Sequence, residues 1–170
     1  EAYISYSACS LPYLAKNLIA NESDLIARTP EEMAKQGVAV HILHEAAGIL
    51  PQEKAVVVRG PSGEEKRVPY DRLVIATGAR PIVPRLPGVG AEGVFTIKGI
   101  PDVRALRNYL AGRDCRSAVI VGGGFIGVEM ADALTSLGIG TTIVEKLPQI
   151  LPPFDADMAG MVQAALEARG

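Results

Sequence analysis

Ser117–Glu145 reads SAVIVGGGFIGVEMADALTSLGIGTTIVE, and this stretch decides the fold. Ser117–Val121 is an apolar, β-branched run of strand length and reads as a buried strand. Gly122-Gly123-Gly124-Phe125-Ile126-Gly127 follows as a G-x-G-x-x-G pattern. Phe125–Leu137 then has helical length and spacing, and Thr141–Glu145 reads as a second strand. A strand, a helix and a strand in that order form a βαβ unit. The expected class is therefore α/β, with a parallel sheet and right-handed crossovers.

Such a glycine pattern alone is a weak signal; its setting makes it a dinucleotide fingerprint. Gly122 allows the tight turn, Gly124 lets backbone approach a pyrophosphate, and Gly127 lets the helix pack closely on the strand. Phe125 and Ile126 open the helix, whose N-terminal amides and partial positive charge suit phosphates. Glu145 ends the second strand near the offset expected for an acid that accepts both ribose hydroxyls of an adenosine. It would repel a 2′-phosphate, which favours NADH. Lys146 beside it keeps NADPH open. From this unit alone NAD and FAD are not separable, since both use the same turn.

Working outward, Asp102–Leu110 has a capped amphipathic helical look. Asp155–Arg169 reads as another helix, with Met158, Met161, Val162, Ala165 and Leu166 on one face. Upstream, Pro81, Pro84, Pro87 and Gly88 mark an extended, hinge-like boundary. Arg72–Ala76 (RLVIA) reads as a short buried strand running into Thr77-Gly78. Gly60-Pro61-Ser62-Gly63 between residues 54–59 and 64–69 is a β-hairpin signal. Val38–Leu43 reads as a strand. Thr29-Pro30-Glu31-Glu32 starts a helix, with Thr as cap and Glu32 reaching back, and Gly37 stops it. Pro12 suits a helix's first turn, and Leu11, Leu14, Leu18 and Ile19 form its apolar stripe.

The 170 residues suit one domain or pieces of two. Seventeen Lys and Arg mix with nineteen Asp and Glu along the chain, giving a net charge of −2. That argues against nucleic-acid and membrane-surface partners. No apolar run approaches the roughly 18–20 residues of a membrane span. Two cysteines are too few for a disulfide scaffold, so a cytoplasmic location with reduced or catalytic thiols is expected. The chain begins Glu1-Ala2-Tyr3 without Met and ends Ala168-Arg169-Gly170 where another strand is due. Both ends read as cut.

Cys9 precedes the Pro12 helix start, where the N-terminal field favours thiolate. By itself, a lone cysteine is more often a small buried hydrophobe. However, Tyr3–Tyr13 (YISYSACSLPY) resembles the redox-cysteine segment of the pyridine nucleotide–disulfide oxidoreductases, in the single-cysteine branch. That branch holds CoA-disulfide reductases, NADH oxidases, NADH peroxidases and persulfide reductases. Tyr70–Pro81 (YDRLVIATGARP) resembles the family's strand ending in Ala-Thr-Gly beside the flavin, and Gly122–Glu129 (GGGFIGVE) its nicotinamide-domain motif.

The resemblance implies a partial FAD-binding domain over 1–98 and a partial Rossmann-type NAD(P)H-binding domain over 99–170. It implies FAD and NAD(H) as cofactors and Cys9 as the redox centre facing the flavin. Ser7, Pro12, Thr77 and Gly78 would lie on the flavin side. Phe125 would be the aromatic gate, Glu129 would sit near the nicotinamide end, and Glu145 would bind the ribose. Electrons would pass from NADH through flavin to Cys9, then to a small disulfide such as CoA-disulfide, a persulfide, peroxide or oxygen. A homodimer is implied for the full-length protein.

Cys9 lacks the second cysteine of glutathione-reductase types, and Cys115 is read as structural. Ser10 stands where Gly or Ala is common. The family's first glycine turn would precede Glu1, and its second FAD stretch and dimerisation domain would follow Gly170. Two alternatives stay open: a flavoprotein reductase of a ferredoxin- or rubredoxin-like partner, and a non-catalytic NAD-binding fragment. His41 and His44 read as a surface pair, Asp155 and Asp157 as helix caps, and Arg59, Lys66 and Arg67 as a solvated face.

Overall fold

The computed structural model describes residues 2–170, and its contacts group into two compact units. One comprises residues up to Ser7 with Ile26–Arg80; the other comprises Ala8–Leu25 with Pro81–Gly170.

In the first unit, β1 (Ser5–Tyr6) pairs antiparallel with β2 (Ile26–Arg28). The helix α2 (Pro30–Lys35) starts as its sequence dictates. Thr29 Oγ1 accepts from the Glu32 amide at 3.3 Å, and Glu32 Oε2 accepts from the Thr29 amide at 3.0 Å. Gly37 follows the helix at φ 81°, the left-handed geometry that a C′ position needs.

A three-stranded antiparallel meander completes this unit: β3 (Glu45–Leu50), β4 (Ala55–Arg59) and β5 (Glu65–Pro69). The second hairpin is the one expected, turning through Gly60–Gly63, with the Gly60 amide donating to the Glu64 carbonyl at 2.9 Å. Across the solvated face, Arg59 pairs with Glu65 at 2.8 Å and with Glu45 at 3.3 Å.

Two strand expectations fail here. Val38–Leu43 is not a strand; Leu43 turns the chain at φ 58° and pairing begins at Glu45. The reason is the turn Pro51–Lys54, where Lys54 adopts φ 47° and sets Leu50 opposite Ala55. That register spends β4's free edge on residues 45–50. Arg72–Ala76 is not a strand either, and Val74 and Ile75 are 84% and 68% exposed. A strand of the buried kind needs ladder partners, and none pairs with it among the described residues.

The second unit is built on helix packing. The helix α1 (Leu11–Ala15) buries Leu11, Leu14 and Ala15 against α3 (Ile100–Ala111) and α4 (Phe125–Ser136). Ile100 and Val103 of α3 are fully buried, and each such side chain contributes about 2 kcal/mol. The Asp102 carboxylate caps α3, accepting from the Gly99 amide at 2.9 Å. The apolar stripe of α1 is shorter than expected: Asn17 turns the chain at φ 62°, and Leu18 is exposed.

Strands β6 (Ser117–Val121) and β7 (Gly140–Val144) pair in parallel, Ser117 opposite Gly140 through Val121 opposite Val144. The helix α4 crosses between them, as a βαβ unit requires. It packs on the strands, while Val119, Val121 and Val144 are exposed, so β6 is half-covered rather than buried. The final helix α5 (Ala156–Glu167) begins after Asp155, which makes no side-chain cap. Of its surface only Ala159 is buried, and the Met158–Met161 stripe stands in solvent.

Asp132 on α4 ties three segments, accepting from Lys16 at 2.8 Å and from Arg169 at 2.8 Å. The Lys16 hydrogen bond is the main reason its carboxyl stays below the usual range. Partial burial opposes this, and the charges of Lys16 and Arg169 add to it. Because the folded value is the lower one, this stabilisation is complete above the unfolded carboxyl value near about 4 and is lost as pH falls through the folded one. Asp132→Asn is expected to cost about 1 kcal/mol in urea unfolding at neutral pH. The gap between the variant and the native protein should close in acid.

Candidate functional site

The glycine turn leaves the end of β6 and enters α4. Gly122 has φ 112°, a region closed to ordinary side chains, and its amide donates to the Val144 carbonyl at 2.9 Å. The turn is thereby stitched to the neighbouring strand. Gly124 is the N-cap of α4, and a Cβ built there meets nothing within 4 Å, so the space before it is open. A Cβ on Gly127 would lie 2.0 Å from the Gly122 carbonyl oxygen. Only glycine permits that approach of helix to strand.

The first amides of a helix have no intrahelical acceptor, and over the twelve residues of α4 the backbone dipoles add. The open space at Gly124 and the partial positive charge of the helix start together can take a diphosphate. The sequence reading assigns the tight turn to Gly122, the diphosphate approach to Gly124 and the close helix packing to Gly127. Phe125 and Ile126, the first residues of α4, are 55% and 59% exposed. Glu129 lies one turn further along and is also exposed.

Glu145 follows β7 directly. Its Oε2 accepts from the Gly123 amide at 2.7 Å and its Oε1 from the Leu147 amide at 2.9 Å. These amides, Leu147 first, hold its carboxyl below the ordinary range, so it is anionic at neutral pH. Glu145 therefore braces the turn, a duty beyond the ribose contact expected of it. The sequence reading missed this second duty, because it depends on where the loop after β7 lies.

It also missed that loop, Leu147–Phe154. The Leu151 amide donates to the Gly123 carbonyl at 2.7 Å, and the Ile150 side chain lies against the Gly123 Cα. The Phe154 ring meets the Phe125 ring edge-to-face, with centroids 5.8 Å apart. The available signal was the cluster Pro148, Pro152, Pro153 and Phe154 ahead of the Asp155 helix start. A recess of about 770 Å³ along β7 is lined by Thr141, Ile143, Glu145, Gln149 and Leu166. Of the expected site residues it holds only Glu145.

Cys9 lies in a single 3₁₀ turn, Ala8–Ser10, leading into α1, and is exposed with a free thiol. The helix beyond it has only five residues, so its field is smaller than a long helix would supply. Pro12 is buried in its first turn. Since α1 packs on α4, Cys9 and Pro12 belong to the same unit as the glycine turn. Ser7, Thr77 and Gly78 belong to the other; all three are exposed, and Gly78 has φ 72°. Cys115 is a free, half-buried thiol. His41 and His44 stack edge-on at 5.4 Å. No group of three His, Cys, Asp or Glu among the described residues is arranged to hold a metal. No described helix is long and apolar enough to cross a membrane.

The family model described as pyridine nucleotide-disulphide oxidoreductase matches residues 1–170. An NADH oxidase of Methanocaldococcus jannaschii is 38% identical over all of this chain, which covers 38% of that protein. An NAD(P)H coenzyme A polysulfide/persulfide reductase of Pyrococcus horikoshii is 32% identical over 97% of the chain and 37% of its own length. Among solved structures, reduced Bacillus anthracis CoADR-RHD superposes with a TM-score of 0.93 at 35% identity, covering 98% of this chain and 30% of that one. The water-forming NADH oxidase from Lactobacillus brevis bound to NADH gives 0.90 at 28%, covering all of this chain and 38% of that one. The chain thus spans well under half the length of the relatives it matches. Three motifs in order and a family match along the whole chain carry one conclusion: it belongs to the pyridine nucleotide-disulphide oxidoreductases.

Proposed function

We propose that this chain is the part of an FAD-dependent NADH oxidoreductase that reads the nicotinamide nucleotide and carries the redox thiol. One observation supports the reading above all: the open, amide-lined turn at Gly122–Gly127, braced by the anionic Glu145. The functional division falls at 98/99, with the flavin side before it and the nicotinamide side after. Cys9 is exposed in its unit; Ser7, Thr77 and Gly78 are exposed in theirs, and a Cβ at Gly78 would meet nothing within 4 Å. Bound FAD would supply a two-electron carrier between NADH and the Cys9 thiol.

The chain's own residues bind and receive. The turn holds the diphosphate, and Glu145 accepts from the ribose hydroxyls and disfavours a 2′-phosphate. Phe125 and Glu129 flank the nicotinamide end. Cys9 thiolate attacks a small disulfide or persulfide, forming a mixed disulfide and releasing one thiolate. A two-electron reduction then frees the second. Relatives named for coenzyme A persulfide and coenzyme A disulfide favour that acceptor over a protein partner.

Anaerobic titration of the full-length protein tests this. NADH should bleach the flavin absorbance and raise a long-wavelength thiolate-to-flavin band, and NADPH should do so at much higher concentration. A purified protein without flavin colour, or one that NADH leaves unbleached, overturns the reading.

A further inference from the structure

We infer that Phe154 is a positioning residue for the nicotinamide end of the site, acting through the ring of Phe125. This rests on the nucleotide reading above and adds a residue that belongs to none of its motifs.

The loop carrying Phe154 is fastened to the glycine turn at one residue from several directions. Gly123 donates its amide to Glu145 at the loop's base and accepts at its carbonyl from the Leu151 amide, both at 2.7 Å. Its Cα face is closed by Ile150: a Cβ there would lie 2.8 Å from Ile150 Cγ2. Leu151 holds φ 48°, a left-handed conformation that leucine rarely adopts. The Phe154 backbone is then pinned twice, its amide donating to the Leu151 carbonyl at 2.9 Å and its carbonyl accepting from Gln149 Nε2 at 2.9 Å. Asp155, the next residue, is the N-cap of α5. Phe154 is thus held in place from both sides in the chain.

Phe125 depends on its contact with Phe154. It is the first residue of α4 and more than half exposed, so little packing selects its rotamer. Its ring contact is the edge-to-face one with Phe154, at 5.8 Å and 68°. That geometry is favoured between aromatic rings and has no aliphatic substitute. The Phe154 ring is itself 46% exposed, so its pinned backbone sets where the ring starts and the edge-to-face contact holds both rings at the mouth of the turn. Both Gly123 backbone groups are spent on the same loop, so the shape of the turn and the pose of Phe125 are set together.

The test uses the full-length flavoprotein with Phe154→Leu and Phe154→Tyr. The leucine keeps apolar bulk and loses the ring; the tyrosine keeps the ring edge. Three readouts separate positioning from stability. The limiting rate of flavin reduction by NADH should fall about three- to tenfold in Phe154→Leu and recover in Phe154→Tyr. Affinity for ADP-ribose, which engages the turn and Glu145 but has no nicotinamide, should stay unchanged. In protein labelled with 4-fluorophenylalanine, the ¹⁹F resonance that Phe125→Leu removes should move in Phe154→Leu.

A native reduction rate in Phe154→Leu, or an unmoved Phe125 resonance, overturns the inference. So does an equal loss of ADP-ribose affinity, since that marks a merely structural role. Native protein that binds no ADP-ribose sinks the nucleotide reading itself, a separate failure.

Discussion

Gly127→Ala is expected to lower NADH affinity at least a hundredfold and to cost about 3 kcal/mol of stability. The new methyl carbon would sit 2.0 Å from the Gly122 carbonyl oxygen, far inside contact distance. Its neighbour is backbone, so no side chain can swing away to relieve it. The N–H of that peptide is Gly123's, so moving it strains the Gly123–Glu145 hydrogen bond that ties the turn to the end of β7. Either α4 lifts off the strand or the turn opens, and both destroy the alignment of amides. Gly124→Ala is the matched control. Its Cβ meets nothing, and φ −75° suits alanine, so the fold should hold while the methyl intrudes where a diphosphate would approach. Urea unfolding with calorimetric NADH titration separates the two. Should Gly127→Ala bind NADH within threefold of native, the close-approach argument fails.

Cys9→Ser should abolish turnover of small disulfides, by on the order of a thousandfold, while leaving NADH-driven reduction of an artificial dye nearly intact. The mixed disulfide needs a sulfur nucleophile, and serine cannot form it. Hydride acceptance needs the nucleotide turn and flavin but not the thiol. The side chain at position 9 is exposed and packs into no core, so stability should change by under about 0.5 kcal/mol. Steady-state assays with the two acceptors check both halves. Equal disulfide turnover in the variant would remove Cys9 from the chemistry and favour an electron-transfer reductase.

The parts of the fold that the chain dictates locally could be read without coordinates. The Thr29–Glu32 capping box, the Gly60–Gly63 hairpin and the β6–turn–α4–β7 unit each rest on residues close in sequence. What escaped depends on distant pairing. Arg72–Ala76 has strand composition yet pairs with nothing described, and Val38–Leu43 lost its place to Glu45–Leu50 because a single lysine at φ 47° set the register. Burial was over-read for the same reason. Val119 and Met161 have core-type side chains, but a pattern cannot say whether a covering element is there. Within the site, the glycine positions were legible and the Glu145–Gly123–Leu151 bracing was not. That bracing is main-chain geometry and leaves no composition behind.

The chain passes between its two units at residues 7/8, 25/26 and 80/81. Neither unit is a contiguous cassette. Residues 81–170 expressed alone would lack α1, uncovering the α3 and α4 surfaces on which Leu11 and Leu14 rest, worth about 2 kcal/mol apiece. Grafting the glycine turn into another scaffold without residues 8–25 would leave behind both the thiol and part of the support beneath the helix. In exchanges between related proteins, these two segments have to travel as a pair.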